Sequence, residues 1–256
     1  MSQGRLDLSI VMPCYNESEN VPNTVPRLVR AFAHAECRYE IVTVDNGSTD
    51  STWDKLTELA ERYPGIVRPI RVATNIGYGN GLLQGMRRAD GVWIGTVAAD
   101  GQVDAEDVYR LYEACSESDG RVLGKVRRRY RMDGFVRRII SVAYNVFVRL
   151  LWPRLGSWDV NGQPRMLHRD VLEVMDLQST NWLLDPEMLI KAYYMKVRVV
   201  EVNVFARMRG NGISHVRMAT CWEFFTYLLR FRFSGRLRSW RERIVRSAGD
   251  VTLRAS

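Results

Sequence analysis

The sequence predicts an α/β protein with a mixed, mostly parallel, Rossmann-like sheet flanked by helices. Three observations predict it. The runs at 7–13, 39–45 and 92–98 are apolar at consecutive positions, as in strands covered on both faces. Each run leads into a polar cluster: Pro13-Cys14-Tyr15-Asn16-Glu17, Asp45-Asn46-Gly47-Ser48-Thr49-Asp50 and Asp100-Gly101-Gln102. Helical segments with start and stop signals separate the runs, the rhythm of βαβ units. Such sheets take ligands outside the carboxyl ends of their strands, so the polar clusters are expected to line one crevice.

The elements follow in order. After the strand at 7–13, Ser18, Asn20 and Pro22 mark the start of a helix over 21–35, because proline suits the first helical turn. The second strand is 39–45. Asp50-Ser51-Thr52 then caps a helix over 53–62, which Pro64-Gly65 ends. A third strand is expected at 67–72. The glycine-rich turn Asn75-Ile76-Gly77-Tyr78-Gly79-Asn80-Gly81 opens a helix to about Arg88, and 92–98 is the fourth strand. Asp104, Glu106 and Asp107 suit the positive end of a further helix. From about 136 to 151, Ile139, Ala143, Val146 and Leu150 recur at helical spacing, with Ile140, Phe147 and Leu151 beside them and Arg137, Arg138, Arg149 and Arg154 flanking. That pattern fits a helix lying in a membrane interface and equally a buried packing helix.

With 256 residues, 46% of them hydrophobic, the chain can bury a large core. It contains no apolar run long enough for a spanning helix, and its first residues lead into a strand without a signal-peptide hydrophobic region. The expected location is the cytoplasm, with peripheral attachment to the inner face of the membrane. Cys14, Cys37, Cys115 and Cys221 lie far apart, without zinc-site spacing, and read as reduced thiols. Cys14 is expected to have no catalytic role.

The net charge of +8 is unevenly spread. Residues 1–120 carry 11 Lys/Arg against 18 Asp/Glu, 121–169 carry 12 against 2, and 207–246 carry 10 against 2. A basic second half suits an anionic membrane or a phosphorylated substrate. No nucleic-acid-recognition signature accompanies it, so nucleic acid is not an expected partner.

The motifs resemble those of the nucleotide-sugar domain of family-2 inverting glycosyltransferases, the group that includes dolichol-phosphate mannose synthase and bacterial polyprenyl-phosphate sugar transferases. The likeness runs from about Leu6 to His215. Pro13-Cys14-Tyr15-Asn16-Glu17 resembles P-x-Y-N-E, and Asp45-Asn46-Gly47-Ser48-Thr49-Asp50 resembles D-D-G-S-x-D with Asn in second place. The resemblance implies a GT-A-like fold, a nucleoside-diphosphate-sugar donor, a polyprenyl-phosphate acceptor and a Mg²⁺ or Mn²⁺ cofactor. It assigns donor binding to Pro13, Tyr15, Glu17, Asp45, Asn75, Gly77, Asp100, Arg209 and Ser214, and catalysis to Asp100, Arg209 and Glu187.

The family usually ends the fourth strand in Asp-x-Asp-x-Gln. Here Ala98, Asp100 and Gln102 stand there, so Asp100 and Gln102 are the expected metal ligands and one carboxylate is missing. Mg²⁺ often takes only one or two protein carboxylates; a metal-independent site is the alternative. Arg137, Arg138 and Ser141 match the segment that relatives place against the acceptor phosphate, and Arg suits phosphate for its planar donor fork. Asp159-Val160-Asn161-Gly162-Gln163-Pro164-Arg165 resembles D-x-x-x-G-F-R, with Gln163-Pro164 replacing the customary residues. Trp182-Leu183-Leu184-Asp185-Pro186-Glu187 resembles the acidic start of the last conserved helix; either carboxylate suits a base for a hydroxyl acceptor, whereas beside a phosphate acceptor Glu187 binds or orients. Arg209-Gly210-Asn211-Gly212-Ile213-Ser214-His215 resembles R-x-x-G-x-S-K, a loop that closes over the diphosphate.

The expected organisation is a donor-binding domain at 1–215, including an interfacial helix at 136–155, and a basic amphipathic extension of helices at 216–256. The leading functional reading is sugar transfer to polyprenyl phosphate. Transfer to a soluble hydroxyl, and a nucleotide-binding protein that has lost catalysis, are the alternatives.

Overall fold

The computed structural model describes residues 5–130, 135–205 and 218–254. Its strands are β1 (Leu8–Cys14), β2 (Tyr39–Asn46), β3 (Val67–Val72), β4 (Trp93–Thr96), β5 (Val122–Tyr130), β6 (Arg165–His168) and β7 (Arg198–Phe205). They form one sheet in the order β3-β2-β1-β4-β6-β5-β7. All neighbours pair in parallel except β6, which runs antiparallel to both β4 and β5. Because Thr96 pairs with Arg165, the start of β6 lies beside the carboxyl end of β4. The sheet is thus the mixed, mostly parallel one that the sequence predicts.

The helices are α1 (Val21–Ala31), α2 (Thr52–Arg62), α3 (Tyr78–Arg88), α4 (Ala105–Ser116), α5 (Phe135–Leu151), α6 (Arg169–Met175), α7 (Leu184–Tyr194), α8 (Met218–Arg232) and α9 (Gly235–Arg254). Strand residues alternate between two cores. Ile10 and Met12 join α1, α2 and α4 residues such as Val25, Leu56 and Val108 on one face. Val11 and Val44 meet Leu82, Tyr144 and Met188 from α3, α5 and α7 on the other. Each such aliphatic side chain contributes about 1.5–3 kcal/mol when fully buried, which is why strands covered on both faces read as continuous apolar runs. α3 approaches the sheet closely: a Cβ on Gly85 would lie 2.3 Å from Val11 and 2.9 Å from Val44.

α5 is apolar on two faces. Tyr144, Val148 and the following Trp152 are buried, and Phe147 packs edge-on against Phe225 of α8 with ring centroids 5.0 Å apart. Val142, Val146 and Leu150, four residues apart, form a second ridge that is 57%, 46% and 74% exposed. Beyond residue 215, Leu228, Phe231, Leu237 and Trp240 of α8 and α9 are buried in the same cluster as α5 and α7.

Candidate functional site

The first two motifs are stitched together at the carboxyl ends of β1 and β2. Asn16 adopts φ 54°, a left-handed conformation that asparagine tolerates. Its side-chain oxygen accepts the Thr49 N–H at 2.9 Å and its own N–H donates to the Ser48 hydroxyl at 3.1 Å. The Glu17 N–H donates to the Thr52 hydroxyl at 2.9 Å, and Glu17 accepts from the Asn20 amide. Ser51 makes no side-chain cap on α2. Instead Asp50 accepts from the Thr52 and Ser18 N–H groups at 3.0 and 3.2 Å. Burial pushes the Asp50 pKa up, but hydrogen bonds from Thr52 and Ser18 outweigh it and hold the carboxyl below its ordinary value.

Asp45, fully buried, ends β2 facing this stitched turn. One carboxylate oxygen accepts the Ser48 N–H at 3.0 Å; the other lies 3.5 Å from the Arg71 guanidinium and has no hydrogen-bond partner among the described residues. Arg71 in turn lies over the Trp53 ring, 5.2 Å from its centroid. Tyr15 stands 36% exposed at the mouth. Cys14 points into the core, where burial first, and then the charges of Glu17 and Asp45, keep its thiol protonated.

The glycine turn is tied to β2 and to residues 179–181. The Asn46 amide donates to the Asn75 side chain at 3.2 Å and to the Gly77 carbonyl at 3.1 Å. The Gly77 N–H is spent on Asn75 at 2.9 Å, and the Asn80 N–H on the Thr180 carbonyl at 2.8 Å. Gly77 has φ 128°, and a Cβ there would stand 2.5 Å from the Thr180 oxygen. Asn75 and Gly77 therefore act as a clasp that seats the start of α3 against residues 179–181.

Across the crevice, the antiparallel β6 brings in a group of residues that motif reading singles out only in part. Gln163 donates its amide to the Tyr78 hydroxyl and to both carboxylate oxygens of Asp185, at 3.1 and 3.2 Å for the latter. Arg165, 1% exposed, donates to the carbonyls of Gly162, Val160 and Asp185 and lies 3.5 Å from the Asp185 carboxylate. A buried carboxylate needs such a partner. Tyr78 is stacked on Trp182 with centroids 4.5 Å apart and planes within 12°. Burial foremost, with the Asp185 and Asp100 charges adding to it, pushes the Tyr78 pKa well up. Asp100 and Asp185 thus both lie near enough to act on Tyr78.

A family model described as Glycosyl transferase family 2 matches residues 9–191. The chain belongs to glycosyl transferase family 2. Dolichol-phosphate mannosyltransferase of Pyrococcus furiosus is 30% identical over 232 residues, 88% of this chain and 63% of that protein. Undecaprenyl-phosphate 4-deoxy-4-formamido-L-arabinose transferase of Proteus mirabilis is 33% identical over 168 residues, 66% of this chain and 51% of that protein. The chain therefore spans between half and two thirds of the length of these relatives. Glucosyl-3-phosphoglycerate synthase from Mycobacterium tuberculosis, solved with Mn²⁺, UDP and glucosyl-3-phosphoglycerate, matches with a TM-score of 0.68 at 17% identity, over 89% of this chain and 80% of that one. That likeness establishes the GT-A fold.

In this family-2 chain the residues expected at the metal follow β4 as a turn, with the Gln102 N–H donating to Asp100 at 3.2 Å. Among the described residues no three His, Cys, Asp or Glu side chains converge as a ligand set. The donor set is one carboxylate and one amide oxygen, which fits a hard cation that draws its other ligands from a diphosphate and water.

Glu187 takes a place other than the one its catalytic assignment requires. It is fully buried, 2.7 Å from the Lys191 ammonium, and accepts the Ser179 N–H at 2.9 Å. The acidic residue of this segment that the fold brings to the crevice is Asp185, two positions earlier. The spacing of Glu187 and Lys191, one helical turn apart, is the signal in the sequence for their pairing.

Arg137 and Arg138 fall in the first turn of α5, and their side chains lie outside the described residues, as do Arg209, Ser214 and the whole 209–215 loop. Ser141 is half-buried one turn further along. Its carbonyl accepts the Asn145 amide at 2.8 Å, and the Asn145 oxygen accepts the Val160 N–H at 3.0 Å. α5 is thereby tied to the segment leading to Gln163.

Proposed function

We propose that this chain transfers a sugar from a nucleoside diphosphate to a polyprenyl phosphate at the cytoplasmic face of a membrane, with inversion at the anomeric carbon. The observation that carries the reading is the exposed ridge of Val142, Val146 and Leu150 on α5, one turn beyond Arg137 and Arg138, in a chain whose relatives are named for polyprenyl-phosphate acceptors. A contiguous exposed apolar strip beside cations suits an interface between water and anionic lipid. The far end of the ridge extends to α8, where Arg232 donates to the Leu151 carbonyl at 3.3 Å and Phe233 is 77% exposed. Among the described residues no helix is long and apolar enough to cross a membrane.

In the reaction a phosphate oxygen of the acceptor attacks the anomeric carbon while the bond from that carbon to the diphosphate breaks. The acceptor is already anionic, so it needs no general base. Arg137, Arg138 and Ser141 hold its phosphate. Asp45 and Glu17 bind the nucleoside, Pro13 and Tyr15 shape its pocket, and Asn75 with Gly77 fixes the pocket wall. Asp100 and Gln102 would hold Mg²⁺ or Mn²⁺, which offsets charge on the leaving diphosphate. Arg209 and Ser214 act on that same group.

The test is transfer of labelled sugar from nucleotide donors to undecaprenyl phosphate in detergent with Mn²⁺, for wild type and for the Arg137→Ala/Arg138→Ala variant. Labelled lipid from wild type, lost in the variant with donor binding unchanged, is the expected result. Product on a soluble alcohol alone replaces the lipid acceptor with a hydroxyl one, for which Asp185 would serve as base. No turnover with any donor points to a binding protein.

A further inference from the structure

Gln163 fixes a hydrogen-bond donor and acceptor side by side in the crevice. Both of its amide hydrogens are spent, one on Tyr78 and one shared between the carboxylate oxygens of Asp185. Two acceptors on that side fix which way the amide points, because its oxygen facing a carboxylate would be repelled. The Gln163 side-chain oxygen is therefore turned elsewhere; it is buried and receives no hydrogen bond from any described residue. An unmet buried acceptor costs roughly as much as a lost hydrogen bond and calls for a partner. Tyr78 uses its hydroxyl oxygen as acceptor toward Gln163, which leaves its own hydrogen for another group. Its ring is held face to face by Trp182, so the hydroxyl keeps its direction.

The unmet pair is uncharged, and beside it lies Asp185, paired with Arg165. An anion such as the diphosphate is disfavoured there. A carbohydrate hydroxyl, which both donates and accepts, fits. We infer that Tyr78 and Gln163 are specificity-determining residues that read hydroxyl groups of the donor sugar, while the clasp and Asp45 side of the crevice holds the nucleotide. The inference rests on the transferase reading above and deepens it. Preorganisation by Asp185, Arg165 and Trp182 is what makes such a small pair selective, since a site built to bond a hydroxyl rejects ligands that lack it.

Calorimetric titration of wild type, Tyr78→Phe and Gln163→Leu, each with Mn²⁺, tests this with UDP and GDP against UDP-glucose, UDP-galactose, UDP-N-acetylglucosamine and GDP-mannose. For the sugar nucleotide that wild type binds most tightly, each variant is expected to weaken binding about three- to ten-fold, the scale of one hydrogen bond. Affinity for the matching bare diphosphate is expected to stay within about two-fold. Equal losses for both ligands, or no loss for either, overturn the inference while leaving the transferase reading intact. Wild type that binds none of the six overturns the transferase reading, and the inference with it.

Discussion

The side-chain amide of Asn46 donates to the Gly77 carbonyl at 3.1 Å, joining the end of the second strand to the turn that opens the third helix. An aspartate at this place has no hydrogen to give that carbonyl. Asn46→Asp is therefore expected to lower stability by about 1–3 kcal/mol, the cost of setting a buried acceptor against acceptors. Urea unfolding followed by circular dichroism measures it, and an unchanged midpoint would count against the clasp.

Asp100→Ala is expected to abolish transfer and leave the thermal unfolding temperature within about 2 °C of wild type, since the residue lies in a turn outside both cores. EDTA should do the same to the wild type. Ala98→Asp restores a second carboxylate and is expected to tighten Mn²⁺ binding in the presence of nucleoside diphosphate. Full activity in EDTA would remove the metal from the mechanism.

Arg209→Ala should lower kcat by about 10²–10³-fold with little change in donor affinity, if its guanidinium meets charge that develops as the diphosphate leaves. Steady-state kinetics together with donor titration separates the cases. A raised KM at constant kcat would make it a ground-state binding residue.

Glu187→Ala strands the Lys191 ammonium in the core and is expected to cost about 3–5 kcal/mol. Replacing both as Glu187→Leu/Lys191→Met should recover most of that loss. A folded, active double variant would show the pair to be structural; an active-site role for Glu187 predicts a folded protein without turnover.

Sedimentation with phosphatidylglycerol vesicles should capture the protein at low salt and release it at high salt, with about 1 kcal/mol from each cation near the surface. Val146→Asp/Leu150→Asp should abolish capture without unfolding, because both side chains are already exposed.

The crevice was legible where chemistry and chain direction coincide. β1, β2 and β4 announce themselves because both faces are buried, and a parallel strand carries its functional residues immediately after it, as Glu17 and Asp45 show. The strand at 165–168 was not legible: at four residues its pattern is too short to show a period, and its reversed direction depends on long-range pairing with β4 and β5. That reversal is why Tyr78, Gln163 and Asp185, distant in sequence and drawn from different motifs, meet at one point. The assignment of Glu187 over Asp185 followed motif position, whereas burial and the Lys191 partner decide which carboxylate turns inward. For α5, periodicity reveals an apolar stripe but is silent about a second face that packs on α8.

The reversed strand β6 divides the labour of recognition along the chain. Parallel strands deliver loops that follow them, so the wall that carries Glu17 and Asp45 is written in the first half of the sequence. A strand laid the other way delivers the residues that precede it, so the opposite wall is written in the connection that leaves α5. The two walls therefore come from separate stretches of the chain and meet where the Tyr78 hydroxyl receives the Gln163 amide.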